Sequence, residues 1–268
     1  MAHDLLRALA IFTAGLAAGT INTVVGSGTL ITFPTLLAFG YPPVLANVSN
    51  NVGLVPGVAS GVVGYRAELA GQRRRVIRLG SASLSGGLVG AILLLVLPAG
   101  AFKAIVPALI GIALVMVVFQ PRLSKWVARR QPAAAGAAAL VSDVGLQEPA
   151  LELGGPVLWV LVFASGVYGG YFGAAQGVLL IGLMGVAFTD SMQRVNAVKN
   201  VLAGLVNGIA AVVFVLATRV DWGVAGLIAA GAILGGQVGA RIGRKLPPWG
   251  LRVVIICVGA AALVKLLA

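Results

Sequence analysis

The sequence predicts an all-α polytopic membrane protein with two inverted-topology repeats, each a re-entrant or broken helical hairpin plus three transmembrane helices. Three observations predict this fold class. Of the 268 residues, 59% are hydrophobic and 10% are charged, whereas soluble domains have about 25% charged residues. Residues 8–65 and 153–189 contain no Lys, Arg, Asp or Glu. The chain also matches itself at a constant offset of 149 residues.

The composition also excludes several classes of protein. The high hydrophobicity excludes a disordered chain and makes the lipid bilayer the expected partner. The formal charge of +12 sits in short clusters between apolar runs, which is typical of cytoplasmic loops rather than of a nucleic-acid-binding surface. With one cysteine, Cys257, one histidine, His3, and seven scattered acids, the sequence predicts no metal centre, no cofactor and no enzymatic activity.

The apolar runs are expected to be the membrane segments, because a spanning helix needs roughly 20 residues. Six runs have about this length: 48–65, 80–97, 101–120, 200–218, 223–240 and 250–267. The runs at 11–39 and 157–189 are too long for one helix and too short for two. Polar and glycine residues interrupt them at 22–28 and 173–177. Each is therefore predicted to be two half-helices, an arrangement tolerated only inside protein or beside a water-filled cavity.

The internal repeat defines the organisation of the chain. Asn47 aligns with Asn196, and Asn51 aligns with Asn200. The run Gly86-Gly87-x-x-Gly90 aligns with Gly235-Gly236-x-x-Gly239, and both runs are expected to let helices approach closely. The predicted divisions are a first membrane repeat at 1–120, a cytoplasmic linker at 121–155 and a second membrane repeat at 156–268.

The distribution of basic residues favours an inverted rather than a parallel arrangement. If each interrupted run leaves the membrane on the side it entered, 15 basic residues lie inside and 4 lie outside. The inside set comes from 66–78, 122–130, 190–199 and 241–252. If each run instead crosses once, the repeats are parallel and the split is 12 to 7. Because basic residues concentrate in cytoplasmic loops, we expect inverted repeats, with both termini outside.

Polar residues in the apolar runs gather at the two interruptions and near the starts of the helices that follow. The candidate substrate-binding residues are Asn22, Thr23, Gly26, Ser27, Gly28, Asn47, Asn50, Asn51, Gln176, Gly177, Asn196, Lys199, Asn200 and Asn207. The set is rich in amides and hydroxyls, has one cation and lacks acids. Helix N-termini favour negative charge, so the set favours a small anion.

Structural roles are open for the same residues. Asn47 and Ser49 could cap a helix that starts near residue 50. Asn51, Asn200 and Asn207 could form hydrogen bonds between helices. Lys199 could be a loop charge that snorkels, and the glycines could serve tight turning rather than ligand contact.

Two pairs of motifs resemble the sulfite exporter TauE/SafE family of membrane permeases. The first repeat has Gly15-Leu16-Ala17-Ala18-Gly19-Thr20-Ile21-Asn22-Thr23-Val24-Val25-Gly26-Ser27-Gly28 and Ala46-Asn47-Val48-Ser49-Asn50-Asn51. The second has Gly169-Gly170-Tyr171-Phe172-Gly173-Ala174-Ala175-Gln176-Gly177 and Asn196-Ala197-Val198-Lys199-Asn200. The resemblance implies a bacterial inner-membrane transporter of small sulfur-containing or organic anions, such as sulfite or sulfonates. Many relatives have a basic residue where this chain has Asn51, so Lys199 is the only cation in these motifs.

The sequence thus predicts a secondary transporter that works by alternating access around a central site between the repeats. An anion channel and a membrane assembly protein without transport activity are the alternatives. The substrate, the direction of transport, the coupling ion and the oligomeric state, including a homo-oligomer, stay open.

Overall fold

The protein is all-helical throughout the part of the chain that its computed structural model describes. That part comprises residues 2–98, 100–102, 104–122, 154–188, 190–241 and 248–267. Its helices are α1 (Ala2–Val24), α2 (Thr29–Ala38), α3 (Pro43–Gly64), α4 (Arg73–Val96), α5 (Gly100–Arg122), α6 (Gly155–Tyr171), α7 (Gln176–Ala187), α8 (Met192–Ala217), α9 (Trp222–Arg241) and α10 (Pro248–Leu267). The predicted all-α membrane class is confirmed. Five of these helices, α1, α4, α5, α8 and α9, are long and apolar enough to cross a membrane.

The same order of elements occurs twice, once in α1–α5 and once in α6–α10. In each half a short helix, α2 or α7, follows the first helix after a break. The breaks lie at residues 25–28 and 172–175, which confirms the two interruptions predicted from the sequence. Most of the linker predicted at 121–155 lies outside the described residues, as does part of the basic segment 241–252.

Two predicted helix starts are wrong. The helix expected near residue 50 begins at Pro43, and the helix expected near residue 200 begins at Met192. Asn47 therefore lies inside α3 and is not an N-cap, and Ser49 accepts a hydrogen bond from the backbone N–H of Asp221 (2.9 Å). The start of α8 was misplaced because its first turns contain Gln193, Arg194 and Lys199. The start of α3 was misplaced because Pro43, which breaks the apolar run, is a favoured first residue of a helix.

Each break turns the chain back towards the end from which it came. The left-handed backbone that the turns require is provided by Gly26 (φ +88°) and Gly173 (φ +79°). Beyond the first turn, the ring of Tyr41 lies 4.5 Å from the guanidinium carbon of Arg7 near the start of α1. Beyond the second, Phe188 packs beside Gly154 at the start of α6. Each pair of half-helices is therefore a hairpin.

The first helix of each half packs along the fourth helix of the other half, α1 against α9 and α6 against α4. Glycines make this contact close. A Cβ atom built on Gly235 would lie 2.0 Å from the carbonyl oxygen of Leu16, and one on Gly90 would lie 2.1 Å from that of Val167. The prediction that the two glycine runs permit close helix approach is confirmed.

An aromatic cluster fills the space between α2, α5 and the second break. Phe33 stacks edge-on against Phe172 at 5.2 Å, and Phe102 lies 5.7 Å from the ring of Tyr171. Such contacts contribute about 0.5–1.5 kcal/mol each beyond the burial of their area. The cluster packs directly against the second break, through Tyr171 and Phe172.

We predict that Gly235→Ala destabilises the protein, because the new methyl group would overlap backbone atoms of α1. Overpacking of this kind costs about 1–3 kcal/mol. The matched control is Gly226→Ala in the same helix, where no atom lies within 4 Å of the new Cβ. The control should melt at or slightly above the wild-type temperature, because alanine is the better helix former. Equal melting temperatures of the two variants in detergent would contradict the packing described here.

Candidate functional site

The tips of the two hairpins meet inside the protein. The backbone N–H of Gly177 donates a hydrogen bond to the carbonyl oxygen of Gly26 (3.1 Å). A Cβ atom on either glycine would lie 2.4 Å from the Cα atom of the other. The backbones of the two hairpin tips are therefore in direct contact, and this contact requires glycine at both positions. Gly26 and Gly177, both predicted site residues, are thus brought together by the structure.

The last carbonyl groups of α1 receive donors from α8. The Nζ atom of Lys199 lies 2.8 Å from the carbonyl oxygen of Asn22 and 3.3 Å from that of Thr23. The amide groups of Asn196 and Asn200 also donate to the Thr23 carbonyl, at 3.0 and 3.3 Å. Lys199 is fully buried, with 0% exposure. A helix end leaves such carbonyls unpaired, so these three side chains cap α1.

The second hairpin has a related cap. The amide of Asn47 in α3 donates to the carbonyl oxygen of Tyr171 at the end of α6 (3.1 Å). Asn47 is the repeat equivalent of Asn196, and Tyr171 is the repeat equivalent of Asn22. The third helix of each half therefore caps the first helix of the other half. The second cap has no charged donor, because Asn50 occupies the position equivalent to Lys199.

Several buried polar atoms around the tips have no hydrogen-bond partner among the described residues. They include the Ser27 hydroxyl and the Gln176 amide nitrogen, both potential donors, and the Oδ1 atoms of Asn47, Asn50, Asn51 and Asn196. Ser27 lies two residues before the start of α2, and Gln176 is the first residue of α7. Within the described ranges no three His, Cys, Asp or Glu side chains come together. The local chemistry is that of hydroxyls, amides and one ammonium group.

The remaining predicted site residues have local or interhelical partners. The Asn22 side chain accepts a hydrogen bond from the backbone N–H of Gly28 (3.1 Å) and so closes the first break. The Thr23 hydroxyl bonds within α1, to the carbonyl of Gly19. Asn51 donates to Asn207 across the α3–α8 contact (3.4 Å). Asn51 and Asn200 therefore have different partners, although the repeat aligns them.

Sequence reasoning missed the backbone acceptors and one side chain at the second break. The carbonyls of Asn22, Thr23 and Tyr171 accept most of the donors at the tips. The hydroxyl of Tyr168 donates to the carbonyl of Ala174 inside the break. Tyr168 lies one helical turn before the interruption, and this position in the sequence could have predicted that its side chain reaches the break.

Comparison with known proteins identifies the family. The family profile described as sulfite exporter TauE/SafE matches residues 11–266. The chain belongs to this family. It is a membrane transporter.

Curated relatives agree with this assignment. The probable membrane transporter protein YfcA of Escherichia coli K12 is 28% identical, over 100% of this chain and 91% of its own. A probable membrane transporter, ORF9, of a Sinorhizobium species is 26% identical, over 96% of this chain and 91% of its own. A probable membrane transporter protein of Haemophilus influenzae is 26% identical, over 89% and 85%. No solved structure matches the chain significantly.

At one end of this family member, a charged cluster joins the segment between α7 and α8 to the first turn of α4. Asp190, between α7 and α8, forms ion pairs with Arg75 and with Arg194 (3.0 Å for the latter). The Arg75 guanidinium carbon also lies 3.8 Å from the ring centroid of Phe188. Burial raises the pKa of Asp190, but hydrogen bonds and charges from Arg75 and Arg194 outweigh it, so the pKa lies below its usual value.

We predict that Asp190→Asn lowers the melting temperature at neutral pH, by an amount corresponding to about 1 kcal/mol. A carboxylate with a lowered native pKa stabilises the fold above its unfolded pKa, about 3.9, and loses that effect as the pH falls through the native pKa. The difference between wild type and variant in detergent should therefore shrink progressively below about pH 4. A difference that is absent at neutral pH, or undiminished in acid, would contradict this assignment.

Proposed function

We propose that the chain is a secondary transporter of small oxyanions, sulfite or sulfonates, that binds its substrate where the two hairpin tips meet. The observation that carries the proposal is the pair of unpartnered donors at the tips, the Ser27 hydroxyl and the Gln176 amide. Their side chains are 0% and 2% exposed. A buried donor without a partner costs about 1–3 kcal/mol of stability. A ligand rich in hydrogen-bond acceptors would pair with these donors and remove that cost. Each donor also lies at a helix start, where the helix dipole favours negative charge.

The chemistry of the surroundings supports an anion. The carbonyls nearest the tips, those of Gly26, Asn22 and Thr23, already accept hydrogen bonds. A carbonyl that already accepts a hydrogen bond repels an anion less than an unpartnered carbonyl does. The family description names sulfite export, and the relatives are named only as membrane transporters. We extend sulfite as a substrate class to this chain because the family description and the donors at the tips both point to an oxyanion.

In this proposal the other predicted site residues fix the position of the hairpin tips and are not the first groups to contact the anion. Lys199, Asn196 and Asn200 are committed to the end of α1, and Asn47 to the end of α6. The Oδ1 atoms of Asn50 and Asn51 have no partner among the described residues. When the tips separate, Asn50 and Asn51 would reach the anion through their amide nitrogens, which are the donors that an anion needs.

Contacts between the loops support the inverted arrangement of the repeats. Arg75, in the first turn of α4, pairs with Asp190, so the start of α4 and the α7–α8 loop lie at the same end of the molecule. In parallel repeats these two segments would be on opposite faces. We therefore propose repeats at 1–120 and 156–268 joined by a cytoplasmic linker. The protein would lie in the bacterial inner membrane, with both termini outside and no enzymatic role.

The first test is binding of sulfite and of sulfoacetate to the purified protein. Ser27→Ala should weaken binding about ten- to a hundredfold, corresponding to the loss of a hydrogen bond to a charged group. Its melting temperature should stay the same or rise, since the hydroxyl has no hydrogen-bond partner in the part of the chain that the structure describes. The matched control is Ser83→Ala, which removes an equally buried, unpartnered hydroxyl from α4 and should leave binding unchanged. If Ser27→Ala and Ser83→Ala bind sulfite or sulfoacetate with equal affinity, the binding site does not lie at the tips.

Transport by alternating access is tested on proteoliposomes by counterflow. Radiolabelled sulfoacetate should accumulate transiently against unlabelled sulfoacetate trapped inside. A channel, which has no occluded state that carries label across, would only equilibrate it. Binding without any flux would favour an assembly protein.

The topology is tested with single cysteines in a Cys257→Ser background. Arg74 and Arg219 are both exposed side chains, and the inverted arrangement puts them on opposite faces of the membrane, with Arg219 outside. In intact cells, an impermeant thiol reagent should label Arg219→Cys and miss Arg74→Cys until the cells are permeabilised. Labelling of both positions, or of neither, would favour parallel repeats, in which the two residues share a face.

A further inference from the structure

The fully buried ammonium group of Lys199 has an unusual set of partners. Its two hydrogen-bond acceptors are backbone carbonyls, at 2.8 and 3.3 Å. No carboxylate of the described residues lies within ion-pair distance of it. Burying a charge is costly unless it is compensated. The compensation available here is the negative end of the α1 dipole, which concentrates on the last carbonyls of the helix.

No charged side chain of α1, α7 or α8 changes this picture. The charged and titratable residues of α1, His3, Asp4 and Arg7, are at its opposite end, and α7 contains none. Arg194 in α8 is paired with Asp190. The site that holds the ammonium is therefore built from carbonyls, with amide side chains around it.

The same atoms have the composition of a site for a free cation. Carbonyls at the ends of interrupted helices coordinate monovalent cations in secondary transporters. The Thr23 carbonyl accepts from Asn196 and Asn200 as well as from Lys199. The Oδ1 atom of Asn196 is an additional oxygen, buried and without a partner, and Asn196 is only 6% exposed.

The stem of Lys199 reaches this position through a narrow gap. A Cβ atom on Gly177 would lie 2.9 Å from the Lys199 Cδ atom. The side chain therefore passes directly against the tip of the second hairpin before it reaches the end of the first. The Lys199 side chain thus links α8 to the start of α7 through its stem and to the end of α1 through its ammonium group.

We propose that the end of α1 is a monovalent-cation site that Lys199 fills permanently, so that the protein carries its own cation and does not couple transport to Na⁺. The proposal deepens the proposed transport function and rests on it for the flux measurement. The cation site itself is testable without any substrate. Its ligands would be the carbonyls of Asn22 and Thr23, with the Asn196 amide oxygen as a further oxygen nearby.

The decisive comparison is between Lys199→Ala and Lys199→Met. Alanine removes the charge and leaves space, whereas methionine removes the charge and keeps most of the volume. In choline chloride both variants should melt lower than wild type, by about 5–10 °C for the loss of charge-assisted hydrogen bonds. Adding ammonium, methylammonium or Na⁺ should restore a large part of the loss in Lys199→Ala. The same salts should leave Lys199→Met and the wild type unchanged.

Lack of recovery of Lys199→Ala with all three cations, or equal recovery of Lys199→Met, would overturn the proposal. Failure of Lys199→Ala to fold even when ammonium is present from solubilisation onwards would also overturn it, because an empty carbonyl site should accept free ammonium.

The second measurement is sulfoacetate flux by the wild type in proteoliposomes, with Na⁺ replaced by choline. Equal flux is expected, and flux that requires Na⁺ would overturn the proposal whatever the variants do. An absence of all flux with cation rescue of Lys199→Ala intact would instead refute only the proposed transport function.

Discussion

The fold depends on satisfying the carbonyls that α1 exposes where it stops inside the protein. A helix that ends away from water leaves its last carbonyls without partners, each at a cost of a few kcal/mol. Here Lys199, Asn196 and Asn200 supply the missing donors from a single face of α8. The break in the first hairpin is therefore stable only when a helix of the other half lies against it. Neither half of the chain could hold its interrupted helix alone.

Close packing between the halves is the condition for this capping. Side chains as short as asparagine reach a carbonyl of another helix only if the backbones approach closely. The glycines of α9 and α4 permit that approach, since Gly235 and Gly90 lie against carbonyls of α1 and α6. Glycine spacing, capping asparagines and the touching tips at Gly26 and Gly177 are thus parts of one arrangement. A change in any of them would alter the geometry of the hairpin tips.

The sequence contained most of the fold but little of the detailed bonding. Long uncharged runs predicted the helices, and glycine with polar residues at 22–28 and 173–177 predicted the breaks. The roles of Lys199 and the asparagines could not be predicted, because their partners are backbone carbonyls, which look alike at every position of a sequence. Ser27 and Gln176 were named with twelve other residues. What distinguishes them, a buried donor with no partner, exists only after the chain has folded.

The packing also bears on which parts of the molecule could move against each other. Helices α1, α3 and α9 pack together as one bundle, and α4, α6 and α8 pack as another. Each bundle combines helices from both repeats, and the two bundles meet along α3 and α8. The Asn51–Asn207 bond, the cap on α1 and the contact between Gly26 and Gly177 all cross or border this seam. Alternating access by rocking would therefore move these mixed bundles rather than the repeats themselves. The glycine-lined contacts within each bundle would stay closed, while the contact between the tips at Gly26 and Gly177 would open and re-form around the anion.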